Sequence, residues 1–167
     1  MTSLLIVAIY PFMKRITNWP QLVLGLAFNW GVLVGWSAVH GSLSWPPVLV
    51  YLGGIFWTLA YDTIYAHQDR EDDVLIGVKS TAVHFGDNTR IWLGGFFILA
   101  LISIDAALWL ADASFIAHMG VGFAALHAGW QIRKFEPHNS ALCLRLFKSN
   151  RNFGLIIATL LFPDCLF

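Results

Sequence analysis

The stretch "GIFWTLAYDTIYAHQDREDDVLIGVKSTA", Gly54 to Ala82, joins an apolar run to the densest charge in the chain. Half of the ten acidic residues, Asp62, Asp69, Glu71, Asp72 and Asp73, fall within it, followed by Lys79, Ser80 and Thr81. The apolar run extends back to Pro47, so Asp62 stands inside a segment near the roughly 20 residues that cross about 30 Å of hydrocarbon. An ionisable residue at that depth is costly unless it serves a site. Acidic residues at a helix end are ordinarily a solvated loop, and Asp62 is what argues against that reading here.

Three similar runs surround this one: Trp19 to Val39, Ile91 to Ala111 and Phe115 to Ile132. With 57% hydrophobic residues, a mean hydropathy of +0.66 and 12% charged residues, against about 25% in soluble domains, the expected fold is an all-α, polytopic transmembrane helical bundle with four full spans. Leu4 to Phe12 and Phe153 to Phe167 are too short to cross and read as partial helices at both ends of a single, incomplete transmembrane domain. The first lacks the basic flank and A-x-A site of a signal peptide.

Four spans place all ten Lys and Arg on one side: Lys14 and Arg15; Arg70, Lys79 and Arg90; then Arg133, Lys134, Arg145, Lys148 and Arg151. The opposite loops, His40 to Pro46 and Asp112 to Ser114, carry none. That asymmetry sets the acidic stretch on the cytoplasmic or matrix face. Zero net charge gives no ground for a nucleic-acid partner. Cys143 and Cys165 form no C-x-x-C pattern, and the six histidines show no zinc spacing.

On a continuous helix turning ~100° per residue, Asp69 and Asp73 share a face, and Asp62 lies about 20° off the same stripe. Carboxylates so spaced repel one another unless a cation sits among them. Mg²⁺ suits the position, because it takes one or two carboxylates together with phosphate oxygens. Lys79, Ser80 and Thr81 then offer donors to a metal-held diphosphate. Tyr10 and Lys14, four residues apart, with Arg15 adjacent, form a second basic element on the same side; its plainer role is to fix topology. Asp105 reads as a bundle-facing hydrogen-bonding residue, and Gly31 with Gly35 as a close-packing G-x-x-x-G.

The stretches "YPFMKRITNWPQLVLGLAFNWG", "YDTIYAHQDREDDVLIGVKSTA" and "KSNRNFGLI" together resemble the hydroxybenzoate branch of the UbiA family of membrane prenyltransferases. The resemblance implies the C-terminal portion of a nine-helix prenyltransferase fold in a bacterial or mitochondrial inner membrane. It implies transfer of a polyprenyl group from polyprenyl diphosphate to the ring of 4-hydroxybenzoate, in ubiquinone biosynthesis. It also implies that Asp69 and Asp73 bind Mg²⁺, and that Tyr10, Lys14 and Arg15 meet the diphosphate end, with Lys79 and Ser80 as further diphosphate-binding candidates. Asp62 and Arg15 join Asp69 and Asp73 as candidate catalytic residues, Asp62 as a base for the phenol or ring proton. The family's first acidic motif, N-D-x-x-D-x-x-x-D, does not occur in these residues, so a second chain supplying the missing N-terminal half is among the expected partners, beside membrane lipid. A non-catalytic membrane partner and a different aromatic acceptor are the alternatives.

Overall fold

The computed structural model describes residues 2–165, and among these every regular element is a helix. In chain order they are α1 (Thr2–Ile16), α2 (Pro20–Phe28), α3 (Trp30–His40), α4 (Trp45–Ala66), α5 (Arg70–Ile76), α6 (Thr81–Phe85), α7 (Thr89–Leu110), α8 (Phe115–Lys134) and α9 (Ser140–Leu161). Short 3₁₀ turns occupy Gly86–Asn88 and Phe162–Cys165. Proline opens α2 and α4, where a missing N–H costs nothing. Gly41 and Gly77 close α3 and α5 at φ 70° and 71°, a conformation other residues adopt only under strain.

Three segments are long and apolar enough to cross a membrane: Pro20–His40, Trp45–Ala66 and Thr81–Leu110. The fourth expected span, α8, has 20 residues, sufficient length for a crossing. His118, His127 and Gln131 lower its hydropathy below that of the other three. The first span is not one rod. It breaks at Asn29, whose side-chain amide donates to the Gly25 carbonyl (2.8 Å) and to Thr58 Oγ1 (3.1 Å), tying the break to α4.

Helix α4 packs chiefly against α7, and a core of Ile64, Leu93, Phe97, Ala124, Leu146 and Phe153 joins them to α8 and α9. The close approach depends on Gly53: a Cβ there would lie 2.8 Å from Ile104 Cγ1 and 3.0 Å from the Ala100 carbonyl. The expected packing motif at Gly31 and Gly35 is not used in this way. Neither position has a neighbour within 4 Å of where a Cβ would sit, whereas Gly53 and Gly54 on α4 each admit one. Asp105 takes the bundle-side role expected of it, accepting from His118 Nδ1 across α7 and α8 at 2.7 Å.

Candidate functional site

The acidic stretch does not continue α4 as one helix. The backbone leaves helical geometry after Ala66, and Asp69 (φ −108°, ψ 12°) becomes the N-cap of α5. The break is held by His67, buried with its Nδ1 donating to the Thr63 carbonyl (2.8 Å) and its Nε2 lying 3.3 Å from the Thr89 hydroxyl. The single stripe of Asp62, Asp69 and Asp73 is therefore replaced by two pieces. Asp62 stays on α4, while Asp69 and Asp73 lie one turn apart at the start of α5, where the Asp73 N–H donates to the Asp69 carbonyl at 2.7 Å. Glu71, Asp72 and Asp73 in that turn complement the positive end of the helix dipole.

Helix α1 brings the pieces back together. The Lys14 ammonium acts electrostatically on both Asp62 and Asp73, and the Tyr10 phenol, one turn earlier, on the side of Asp62, Tyr61 and Tyr65. The loop after α5 is stitched to the end of α1: the Lys79 N–H donates to the Lys14 carbonyl (2.9 Å), and the Lys79 ammonium to the Ile16 carbonyl (3.2 Å). Lys79 thus caps α1 with the group expected to meet a diphosphate. Ser80 is buried, and its hydroxyl accepts from the Val83 N–H at 3.3 Å to cap α6. Arg15 and Asp69 are exposed on the polar side.

Asp73 is the buried member of the acidic group. Burial pushes its carboxyl above the usual carboxylate range; Lys14 and Ser80 pull it back, and Asp69 and Asp72 push it further up. A divalent cation between Asp69 and Asp73 would remove that penalty, and the two carboxylates fit the partial ligand set Mg²⁺ takes when a phosphate completes it. Among the described residues no three His, Cys, Asp or Glu side chains converge on one point, so these two carboxylates offer part of a coordination shell.

Gln21, Thr63, Gln131 and Asn150, which help hold this arrangement, were not singled out by the sequence. Gln21, buried in α2, accepts from the Thr81 N–H (3.3 Å), and Thr63 and Thr81 share a 2.7 Å hydroxyl contact beneath the acidic loop. Deeper in the bundle, the Asn150 amide donates to Gln131 Oε1 (2.9 Å) and accepts from the Trp57 indole N–H (3.0 Å). The available signal was polar side chains inside apolar runs, which the charged residues of the same runs overshadowed.

The chain matches the UbiA prenyltransferase family over residues 1–156. It belongs to that family. This UbiA-family chain is 49% identical over 157 residues to the mitochondrial 4-hydroxybenzoate polyprenyltransferase of Drosophila melanogaster, covering 93% of its own length and 40% of the relative's. The proteins of the same name from Arabidopsis thaliana and Homo sapiens are 50% and 48% identical over 157 residues, with 39% and 42% of their lengths covered. The UbiA-family chain thus spans about two fifths of the curated relatives it matches. No solved structure matches it.

Proposed function

We propose that this chain forms the C-terminal, diphosphate-handling part of a membrane enzyme that transfers a polyprenyl group from polyprenyl diphosphate to 4-hydroxybenzoate, in ubiquinone biosynthesis. The observation that carries the reading is that the end of α1, which bears Lys14, is hydrogen-bonded to the loop that follows the acidic turn, in a chain whose relatives bear that activity's name. The protein resides in a mitochondrial or bacterial inner membrane, with the acidic loop toward the matrix or cytoplasm, the side on which Lys and Arg collect.

In this reading the allylic carbon–oxygen bond breaks with its electron pair leaving on the diphosphate. Lys14, Arg15 and Tyr10 bind that leaving group, with Ser80 and the Lys79 segment fixing the loop beside it. Asp69 and Asp73 are the residues that would hold Mg²⁺, which would supply charge neutralisation to the leaving group. The ring carbon ortho to the acceptor's hydroxyl forms the new carbon–carbon bond, and its proton leaves to a base, the role given to Asp62. The aromatic faces of Trp57, Tyr61 and Tyr65 shield the positive allylic carbon. Trp30 meets Tyr51 edge-on at 6.1 Å and has no part in this cluster.

Asp69 and Asp73 form one acidic wall, and the reading includes a second wall supplied by an N-terminal segment carrying N-D-x-x-D-x-x-x-D. The test is transferase activity of this chain fused to, or co-expressed with, that segment from a relative. Mg²⁺-dependent prenylation of 4-hydroxybenzoate is expected, and Asp69→Asn or Asp73→Asn should lower it by at least about 10²- to 10³-fold while the protein stays folded in the membrane. Full activity of either variant would overturn the metal role. Equal turnover by the 167-residue chain alone would overturn the need for a second wall.

A further inference from the structure

Arg70, Glu71 and Asp72 border a polar cavity of about 240 Å³, which the connection between α8 and α9 lines with Pro137, His138 and Ser140. That volume is below the roughly 300 Å³ at which drug-sized ligands begin to fit, so the cavity suits a small group. Its walls are held in place. His67, which lines it, is buried and engaged at both ring nitrogens, by the Thr63 carbonyl and the Thr89 hydroxyl, and meets Phe135 edge-on at 5.0 Å. On the other side, Arg90 donates to the Phe135 carbonyl (2.6 Å), and the Asn139 side chain accepts from the Leu142 N–H (3.0 Å) at the start of α9. The described lining contains none of Lys14, Asp62, Asp69 or Asp73.

The donors of this cavity lack acceptors. Gln68 and Arg70 both line it, and Gln68 Nε2 and Arg70 Nη1 are the buried side-chain atoms that find no hydrogen-bond partner among the described residues. A charged donor left buried and unmet is costly. Arg70 forms no ion pair with a described carboxylate, although Glu71 and Asp72 follow it in the chain. The Ser140 hydroxyl adds a further donor. Glu71 and Asp72 bring the opposite chemistry: both are exposed, and neither has a cation within ion-pair distance among the described residues. They would repel a bare phosphate, whereas a group that carries an oxyanion and a primary ammonium meets both halves of the lining. No Trp, Tyr or Phe is in the described lining, so the cage that quaternary ammonium groups favour is missing. The cavity lies just past the ends of α4 at Ala66 and α8 at Lys134, where membrane helices leave the hydrocarbon for the head-group layer.

We propose that this cavity binds the phosphoethanolamine head group of a membrane phospholipid, with Gln68, Arg70 and Ser140 holding the phosphate and Glu71 and Asp72 the ammonium. The site stands apart from the diphosphate end and does not depend on the transferase reading.

The test is native mass spectrometry of the 167-residue chain released from nanodiscs holding equal amounts of phosphatidylethanolamine, phosphatidylcholine and phosphatidylglycerol. Phosphatidylethanolamine should be retained roughly tenfold over either of the others, the effect of one charge-assisted contact. Arg70→Gln should abolish that preference. Its melting temperature in phosphatidylcholine alone should not fall, because the guanidinium has no partner to lose; if it does fall, the second variant decides. That variant, Glu71→Gln with Asp72→Asn at exposed side chains, should lose the preference for phosphatidylethanolamine over phosphatidylglycerol. Equal retention of the three lipids by the wild type, or an unchanged preference in the second variant, would overturn the site. Preferred retention of phosphatidylglycerol by the wild type, dependent on Arg70, would overturn the head group in favour of a plain anion. Soluble O-phosphoethanolamine, titrated calorimetrically into the chain in phosphatidylcholine nanodiscs, separates the two sources of the same chemistry. Saturable, Arg70-dependent binding of it without any lipid preference would overturn the lipid in favour of the free compound.

Discussion

Asp73 shows what burying one carboxylate costs a fold. Its carboxyl is raised above the usual range by burial first, with Asp69 and Asp72 adding to the effect. A raised carboxyl pKa means that the folded state disfavours the charged form; the penalty is fully present above the folded pKa and relieved as pH falls through it. Asp73→Asn should therefore melt higher than wild type at pH 8, with the difference shrinking under acid. Mg²⁺ with inorganic pyrophosphate should raise the melting temperature of the wild type, and the same variant should lose that rise. A lower melting temperature at pH 8 would contradict the burial argument. His67 has the opposite sign. Burial lowers its pKa most, with Arg70 and His138 assisting and the Thr63 carbonyl opposing. Its neutral form is favoured by folding, so the stability it contributes is present above about pH 6.5, the ordinary value, and is lost as pH falls below it. Thermal unfolding in detergent should show this acid loss, and His67→Asn should flatten it.

At the level of elements, the α4–α7 contact is decided by Gly53, because the atoms a Cβ would meet include the backbone carbonyl of Ala100, which cannot swing away. Gly53→Ala should destabilise by about 1–3 kcal/mol through overpacking, read as a lower melting temperature. Gly31→Ala and Gly35→Ala, with nothing within 4 Å, should leave stability unchanged or slightly raised, since Ala is the better helix former by about 1 kcal/mol. A drop at Gly35 equal to that at Gly53 would place the packing seam elsewhere. The G-x-x-x-G spacing was legible in the sequence, but spacing does not say which partner arrives. The adjacent pair Gly53 and Gly54 serves two neighbours at once, Gly53 facing Ile104 and Gly54 facing Asn29.

For the whole molecule, the one-sided distribution of Lys and Arg makes a topological claim that the short α7–α8 turn supports by forcing those helices antiparallel. Single cysteines at exposed Ser42 and Asp112 should react with a membrane-impermeant maleimide from one face of sealed vesicles. Cysteines at exposed Asp87 and Asn139 should react from the other. Labelling of all four from one face would refute the arrangement. What the sequence determined by itself was the class of fold and the candidate residues, because hydrocarbon thickness and the cost of buried charge are properties of composition along a line. Tyr10, Lys14, Asp62, Asp69 and Asp73 were all readable on those terms. Tertiary structure alone decided how they meet. Propensity did not reveal that α4 ends at Ala66, because the break is secured by His67 reaching Thr63 and by the Thr63–Thr81 contact. The end of α1, with Lys14, is joined to the loop after the acidic turn by the backbone of Lys79, sixty-five residues later, which bonds to the Lys14 carbonyl. Helices α4 and α9 are likewise joined by the Trp57–Asn150 bond, between residues 93 positions apart. Such pairings depend on which helices become neighbours, and helix neighbours are selected by shape at glycines and by the need to satisfy buried amides.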